Sequence, residues 1–294
     1  MQVAVTGSTG FLGGHLCESL LAGGHGVRAL ARSPDKAAWL QDLGCEVRRA
    51  DVLDGDALRH ALDGADVLVA NAALGSWQGD LDAMQRVNVD GVDLSLRMAK
   101  AAGVRRVVLI SSVAVYQTRL FTPMAEDAPG TDPDKRRFAW RDLTTDWRYA
   151  ITKTRGEHLA WKLADELDLD LTTVRPGPVY GPRDSKLTAR LVSALDRRLV
   201  LLPTSGIPLV HAGDVADAVT AALAHPESIG NAYNLAGPPS SPADMVRTLR
   251  DLAGRGPVVV PIPAPVRVCF DCGAAERDLG FRPRALREGL AGVI

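Results

Sequence analysis

Two side chains one helical turn apart, the Tyr149 phenol and the Lys153 ammonium group, have the residue types and spacing for acid–base chemistry. They share one face of a helix predicted to run from residue 149 to about residue 168. A phenol with a pKa near 10 exchanges protons poorly at neutral pH, and a neighbouring positive charge favours its deprotonated form. The pair is a candidate general acid or base, although the same spacing is common on solvated helices.

A hydroxyl group at the end of a predicted central strand could bind the oxygen atom of a substrate. The run Arg106-Val107-Val108-Leu109-Ile110-Ser111-Ser112 predicts that strand. Ligands of open parallel sheets bind at the carboxyl ends of the strands, where Ser112 could hydrogen-bond a carbonyl or alcohol oxygen. A serine that only forms a turn at the strand end is the structural alternative.

A glycine-rich turn at the start of the chain predicts a phosphate-binding loop. Val3-Ala4-Val5 is typical of a strand, Gly7, Gly10 and Gly13 follow it, and an apolar-periodic helix begins directly behind them. Glycines let the backbone approach phosphate oxygens, and a helix N-terminus stabilises the anion through its unpaired N–H groups and its dipole. The spacing departs from the usual G-x-G-x-x-G fingerprint, so the prediction depends on the position between strand and helix.

The elements that must position these residues alternate regularly in the first part of the chain. Strands are predicted at 3–5, 26–32, 46–50, 66–73 and 106–112, with helices between them. The alternation predicts βαβ units and therefore an α/β fold with a doubly wound parallel sheet, the Rossmann arrangement. Residues 113–147 break this rhythm with three prolines and a basic cluster at 135–137. Segments of that length usually line or cover a site.

The second part of the chain predicts a smaller, proline-punctuated lobe. After a strand at 171–175, helices are predicted at 186–198, 213–225 and 241–253, and short strands at 207–210, 231–235 and 257–260. We expect a dinucleotide-binding domain at 1–180 and a mainly substrate-binding lobe at 181–294, with segments that return to the core sheet. Such a lobe would lie against the carboxyl ends of the strands.

Composition restricts the classes of partner. Hydrophobic residues make up 46% of the 294 residues and charged residues 23%, which are ordinary values for a soluble globular protein. The formal net charge of −1 argues against nucleic acid or an anionic membrane as a bulk partner. Without a signal sequence or an apolar run of spanning length, a cytoplasmic location is expected. The pair Cys269 and Cys272 lacks further ligands, so no metal site is predicted.

Several segments in fixed order point to one family. They are Thr6-Gly7-Ser8-Thr9-Gly10-Phe11-Leu12-Gly13, Asp51-Val52, Asn71-Ala72-Ala73, Val87-Asn88-Val89-Asp90-Gly91, Leu109-Ile110-Ser111-Ser112-Val113-Ala114-Val115-Tyr116, Tyr149-Ala150-Ile151-Thr152-Lys153, Arg175-Pro176-Gly177-Pro178-Val179-Tyr180-Gly181-Pro182, Val210-His211-Ala212-Gly213-Asp214-Val215 and Leu279-Gly280-Phe281-Arg282-Pro283. Together they resemble the extended short-chain dehydrogenase/reductase family, also called the NAD-dependent epimerase/dehydratase family. The resemblance covers almost the whole chain. One departure is Gln117, which stands where a glycine commonly follows the Val-Tyr pair.

The resemblance implies a role for each motif residue. Ser112 would orient the reacting oxygen, Tyr149 would be the general acid/base, and Lys153 would hold the nicotinamide ribose and tune Tyr149. Asp51 and Val52 would lie beside the adenine. The full set of implied cofactor-binding residues is Gly7, Thr9, Gly10, Phe11, Leu12, Asp51, Val52, Asn71, Ala72, Ala73, Ser111, Tyr149, Lys153, Pro176, Gly177 and Val179.

The end of the second strand favours NADP(H) over NAD(H). Proteins that select NAD carry an acidic residue there, which accepts hydrogen bonds from the ribose hydroxyls. This chain has Arg32 at that position and Lys36 just beyond it. An arginine can bind a 2′-phosphate through a planar, charge-assisted fork, whereas a strand-end arginine in solvent is the structural alternative.

NADP(H) in turn favours a reductase that takes its cofactor from solution and transfers hydride to a ketone or aldehyde, or oxidises the alcohol. Trp77 and Trp147 are candidates to line the reacting centre together with Ser112, and buried core aromatics are the alternative. A nucleotide-sugar epimerase or dehydratase with bound NAD(P), using cations such as Arg183 and Lys186, is the second hypothesis. A non-catalytic NADP sensor is the third. The resemblance also implies a homodimer through the helices at 81–102 and from Tyr149 onward.

Overall fold

The computed structural model describes residues 1–76, 78–117, 119–132, 146–264 and 266–294. These residues form eleven strands, which are β1 (Gln2–Val5), β2 (Gly26–Ala31), β3 (Glu46–Arg49), β4 (Val67–Ala70), β5 (Arg106–Ile110), β6 (Asp170–Pro176), β7 (Val179–Tyr180), β8 (Leu199–Pro203), β9 (Val210–His211), β10 (Ala232–Leu235) and β11 (Val258–Ile262).

The same residues form eleven α-helices, which are α1 (Phe11–Ala22), α2 (Ala38–Asp42), α3 (Gly55–Leu62), α4 (Leu81–Gln85), α5 (Gly91–Ala101), α6 (Trp147–Leu167), α7 (Leu187–Ser193), α8 (Ala212–Ala224), α9 (Pro242–Ala253), α10 (Gly273–Leu279) and α11 (Leu286–Ala291). A π-helical turn at Arg86–Asp90 joins α4 to α5. No helix in the described ranges is both long and apolar enough to cross a membrane.

Seven strands form one parallel sheet in the order β10-β6-β5-β4-β1-β2-β3. The chain adds β2 and β3 on one side of β1, and β4, β5 and β6 on the other. Doubly wound folds bind ligands at the point between β1 and β4 where this order changes. The predicted Rossmann-type fold is therefore confirmed. The central strands β1, β4 and β5 are short and strongly apolar, as expected for a sheet covered by helices on both faces.

Alternate residues of β1 point to different helical layers. Val3 and Val5 pack in a core with α1 and α8, whereas Ala4 belongs to a core on the opposite face, formed with α3, α5 and α6. All three side chains are completely buried. Because the side chains of a strand alternate between faces, β1 packs against both helical layers. This packing positions the glycine turn that follows β1.

The segments after residue 180 build a third core and also extend the main sheet. Helices α7, α9 and α11 pack with the inward side chains of the sheet of β8 and β11. Strand β10 joins the main sheet beside β6, and α8 packs on α1. The C-terminal part of the chain thus shares the core of the N-terminal part. The domain division at residue 180 stays a prediction.

The structure differs from the predicted elements in this region at two places. The predicted helix at 186–198 is present as α7 and a 3-10 turn at Ala194–Asp196, but β8 follows at Leu199, where no strand is predicted. The predicted strand at 207–210 is reduced to the bridge residue Ile207 and to β9. Pro208 lacks the N–H group that a ladder requires, which explains the interruption.

Candidate functional site

The turn between β1 and α1 is built as an anion-binding cradle. Gly7 has a φ of +65°, and a Cβ atom there would lie 2.9 Å from the Cα atom of Ala72. At Gly13 a Cβ atom would lie 2.1 Å from the carbonyl oxygen of Gly7, so α1 can approach the turn only without a side chain. Gly10 caps α1, and no side chain occupies the cap. The N-terminal N–H groups of α1 are therefore available to a phosphate group.

A cavity of about 570 Å³ runs along this cradle and over the carboxyl ends of the strands. Its walls contain most of the residues that the sequence analysis assigned to a cofactor. These are Gly7, Thr9, Gly10, Phe11, Leu12, Arg32, Asp51, Val52, Asn71, Ala72, Ala73, Tyr149 and Val179. Residues from separate parts of the chain thus meet in one elongated cavity, but their individual roles remain predictions.

One cation that lines the cavity, Arg32, bears on the choice between NADP(H) and NAD(H). Arg32 follows β2, is exposed and lines the cavity. In the described part of the chain no carboxylate lies within ion-pairing distance of its guanidinium group. Asp51 lies on the same wall and accepts a hydrogen bond of 3.0 Å from the Leu53 N–H. Lys36 is exposed but does not line the cavity.

Two buried polar residues that the sequence analysis left without a role shape the wall. The Thr6 hydroxyl accepts hydrogen bonds from the N–H groups of Asn71 and Ala72, which ties β1 to the segment after β4. Asn88, in the π-helical turn, donates to the Leu74 carbonyl and to the Thr152 hydroxyl and accepts from the Leu74 N–H. The sequence signal that could have indicated a role for Asn88 is the family-like segment Val87-Asn88-Val89. A π turn often marks a functional region.

Tyr149 lines the same cavity, and Ser112 lies beside it without lining the cavity. Tyr149 lies in the first turns of α6, whose N-cap Asp146 accepts from the Arg148 N–H, and Ser112 follows β5. Burial raises the pKa of Tyr149, and the side chain of Ser112 lowers it in part. The direction is opposite to the one expected from Lys153 alone.

Lys153 is buried beneath Tyr149 and is held by the sheet. Its Nζ atom donates to the backbone carbonyl of Ile110 at 2.7 Å. Burial lowers the pKa of Lys153 to about 8, and the negative charge of Glu157 acts in the opposite direction. Glu157 in turn forms a buried ion pair with Arg175. The ammonium group is therefore fixed by the fold, close to the end of β5.

The remaining predicted site residues do not line the cavity. Ser111 is buried, and the Gly177 N–H is bonded to the Leu235 carbonyl at the end of β10, directly after Pro176. Trp147 is half-buried at the start of α6. Trp77 and the basic cluster at 135–137 lie outside the described residues.

Polar side chains that the sequence analysis did not assign to a cofactor also line the cavity. Gln78 accepts from the Gly75 N–H, and the Lys186 ammonium group lies 3.4 Å from the Ser76 carbonyl. Asp184 caps the turn before α7 by accepting from the N–H groups of Lys186 and Thr188. Only the fold brings the segment at 184–186 to the wall opposite the glycine turn.

Known proteins share this architecture and these motifs. The model of the NAD dependent epimerase/dehydratase family matches residues 3–236. A 2-alkyl-3-oxoalkanoate reductase of Stenotrophomonas maltophilia (strain K279a) is 33% identical over 228 residues, which are 76% of this chain and 64% of that protein. A cinnamoyl-CoA reductase 1 of Petunia hybrida is 34% identical over 190 residues, 61% of this chain and 55% of that protein. These matches span less than two thirds of either relative.

A solved structure gives the same result for the whole chain. MoeE5 in complex with UDP-glucuronic acid and NAD is 27% identical, with a TM-score of 0.82 over 99% of this chain and 97% of the other. The family match covers most of the chain, and the resemblance seen in its motifs is confirmed. The chain belongs to the NAD-dependent epimerase/dehydratase family of enzymes, the extended short-chain dehydrogenases/reductases.

Proposed function

We propose that this protein is an NADP(H)-dependent oxidoreductase that reduces a ketone or aldehyde. The observation that carries the proposal is one cavity lined by two chemically distinct groups. One is the Tyr149 phenol, which has the Ser112 side chain beside it, and the other is Arg32, which has no carboxylate partner among the described residues. Relatives that are 33% and 34% identical are named as reductases of carbonyl compounds, which supports the same reaction class.

The residues of the cavity fit a dinucleotide. The positive φ of Gly7 and the space that a Cβ atom at Gly13 would fill support close approach of a pyrophosphate to the helix N-terminus. Asp51 and Val52 would contact the adenosine half, and the Arg32 guanidinium would bind a 2′-phosphate. When bound, NADPH supplies the hydride that reduces the carbonyl carbon.

The chain's own residues supply the proton and hold the oxygen. Ser112 donates a hydrogen bond to the substrate carbonyl oxygen, and Tyr149 delivers its proton to the same oxygen as negative charge develops there. The raised pKa of Tyr149 keeps the phenol protonated at neutral pH, as a general acid requires. The Lys153 ammonium group, held below it, stabilises the tyrosinate that remains.

A nucleotide-sugar epimerase or dehydratase is the second candidate. The likeness to MoeE5, solved with UDP-glucuronic acid and NAD, favours it. The Lys186 ammonium group at the cavity wall could bind a substrate phosphate. The same Ser112, Tyr149 and Lys153 would then take part in oxidation followed by reduction. A non-catalytic sensor has no need for Ser112 beside Tyr149.

One experiment separates the candidates. The purified protein is denatured and the released nucleotide identified, and NADPH oxidation is then followed with panels of ketones, aldehydes and nucleotide sugars. A reductase is expected to retain little nucleotide and to consume NADPH with a carbonyl compound. Retained NAD together with isomerised sugar and no net NADPH consumption would contradict the proposal and establish the epimerase. Failure of both panels, with NADP binding intact, would support the sensor.

A further inference from the structure

The small sheet of β8 and β11 presents an apolar face to solvent. The two strands pair in parallel with Leu199 opposite Val258 and Leu201 opposite Val260. Their alternate residues Val200 and Val259 point inward, toward the core with α9. The outward side chains include Leu201 and Val258, which are 60% and 63% exposed. Ile262 extends the same face at the ends of the strands.

Neighbouring loops enlarge this face. Thr204, directly after β8, bonds to the Ile262 carbonyl, Gly206 bonds to that of Val266, and the Phe121 N–H bonds to that of Arg267. Phe121 is 62% exposed and has a φ of +64°, and Leu120 beside it is also exposed. We call the whole surface the apolar face. It consists of the outward residues of β8 and β11 together with Leu120, Phe121 and Val266.

The clustering of these residues requires an explanation. The described part of the chain has thirteen exposed large apolar residues, and eight of them belong to the apolar face. Single exposed apolar side chains are ordinary, but a contiguous group usually marks a surface that another molecule covers. None of the eight lines the cavity described above, so the proposed reaction does not account for them.

Arginines lie at both ends of the apolar face. Arg197 and Arg198 precede β8, and Arg119 and Arg267 flank the loop at the opposite end; all four are exposed. Within the described ranges none of them has a carboxylate within 4.0 Å. Two acidic side chains beside these arginines form ion pairs of their own. Asp196 pairs with Arg255, and Asp244 pairs with Arg247.

We propose that the apolar face docks on an anionic lipid surface, with Leu201, Val258 and Phe121 in the acyl boundary and the four arginines at the headgroups. Apolar side chains rimmed by cations are the composition of interfacial membrane contacts. A second copy of the chain fits less well. A two-fold contact places the face against itself and therefore brings arginine onto arginine, which is repulsive.

The net charge of −1 does not argue against this docking, because it is a sum over the whole chain and the arginines are local. The homodimer implied by the resemblance would use α5 and α6, which are different elements. The proposal is independent of the substrate of the enzyme and also of its cofactor.

Vesicle flotation of the full-length protein tests the proposal. The probes are phosphatidylcholine vesicles with and without phosphatidylglycerol. Binding is expected only to the anionic vesicles. The double variant Leu201→Gln/Val258→Gln should bind about tenfold or more weakly, as expected when two large side chains are lost from an apolar contact. Arg197→Gln/Arg198→Gln should lose a similar factor, and added salt should weaken binding by the parent protein.

The matched control is Leu43→Gln/Ile229→Gln, which removes two exposed apolar side chains elsewhere and should bind like the parent. If the strand variant fails to fold, Phe121→Asn removes a different apolar side chain of the same face. Asparagine tolerates the positive φ of that position, so this variant is expected to fold. Equal binding to neutral vesicles, no binding to anionic ones, or unchanged binding of folded variants would overturn the proposal. A dimer detected by sedimentation and abolished by Leu201→Gln/Val258→Gln would overturn it in favour of a second copy.

Discussion

The ammonium group of Lys153 in α6 donates a 2.7 Å hydrogen bond to the backbone carbonyl of Ile110, the last residue of β5. This bond ties the helix that carries Tyr149 to the strand that leads to Ser112. It therefore fixes the distance between the two hydroxyl groups that we propose to act on the substrate. The same ammonium group is buried, and burial lowers its pKa to about 8.

Replacing Lys153 should change how stability depends on alkaline pH. The folded pKa of about 8 lies below the unfolded value of about 10.4, so the unfolded chain binds the extra proton between these values. Stability of the parent should therefore rise, relative to Lys153→Met, by up to about 1.4 kcal/mol per pH unit from about pH 8 to 10. Below pH 8 the difference should be flat. Urea unfolding of both proteins across this range measures it.

The control for this prediction is Lys162→Met, on the same helix. The Lys162 side chain is 70% exposed and pairs with Glu166 at the surface. Its removal should leave the pH profile of the parent unchanged. A profile for Lys153→Met parallel to that of the parent would show that Lys153 keeps an ordinary pKa.

Removing the Tyr149 hydroxyl should abolish proton transfer but not cofactor binding. We expect Tyr149→Phe to lower the turnover number for carbonyl reduction by about 10²- to 10⁴-fold. The dissociation constant of NADPH, measured by fluorescence titration, should change little. Tyr180→Phe, in the C-terminal core, serves as the control for loss of a buried phenol. Turnover by Tyr149→Phe at the rate of the parent would refute the assigned role.

Cofactor choice should depend on Arg32 and not on Lys36. If Arg32 binds a 2′-phosphate, Arg32→Ala should weaken NADP binding by about 10- to 100-fold and hardly affect NAD. Lys36→Ala is the matched control, because Lys36 lies in the same loop but does not line the cavity. Calorimetric titration of both cofactors gives the constants. Tighter binding of NAD than NADP by the parent protein would contradict the assignment.

The buried pair of Glu157 and Arg175 should be a strong determinant of stability. Their side chains are only 4% and 12% exposed, and the Arg175 guanidinium also donates to the Tyr116 hydroxyl and to the Glu126 carbonyl. Glu157→Gln removes one charge and leaves the other buried, at a cost of about 3–5 kcal/mol. Glu157→Gln should also lower the pKa of Lys153 further, because the negative charge of Glu157 raises that pKa and so opposes the effect of burial.

The surface pair of Asp93 and Arg97 supplies the comparison. These side chains are 33% and 47% exposed, so Asp93→Asn should cost less than about 1 kcal/mol. Chemical denaturation of both variants gives the two values. Equal costs for Glu157→Gln and Asp93→Asn would mean that the buried pair contributes no more than a surface pair.

Much of the fold follows from local patterns. Gly7 is required by its positive φ and by the nearby Ala72 backbone, and Gly13 by the close approach of α1 to the turn, so their positions carry direct information. The alternation of apolar strands and helices up to Ile110 predicts the parallel sheet, because each buried strand needs a covering helix. Helical spacing likewise places Tyr149 and Lys153 on one face of α6.

Other features depend on contacts between distant segments. Strand β8 exists because β11 pairs with it, and no local pattern distinguishes it from the end of the preceding helix. Lys186 reaches the cavity only because the segment before α7 folds back over the glycine turn. The bond from Lys153 to the Ile110 carbonyl, and the burial that lowers its pKa, join residues 43 positions apart.

The sequence by itself thus determined the family, the parallel sheet and the residue types of the site, since these depend on short-range periodicity and on motifs. Tertiary structure decided how those residues are protonated, which of them line one cavity, and which apolar side chains stay exposed. Burial, long-range pairing and charge separation are properties of the packed chain, so no local stretch contains them.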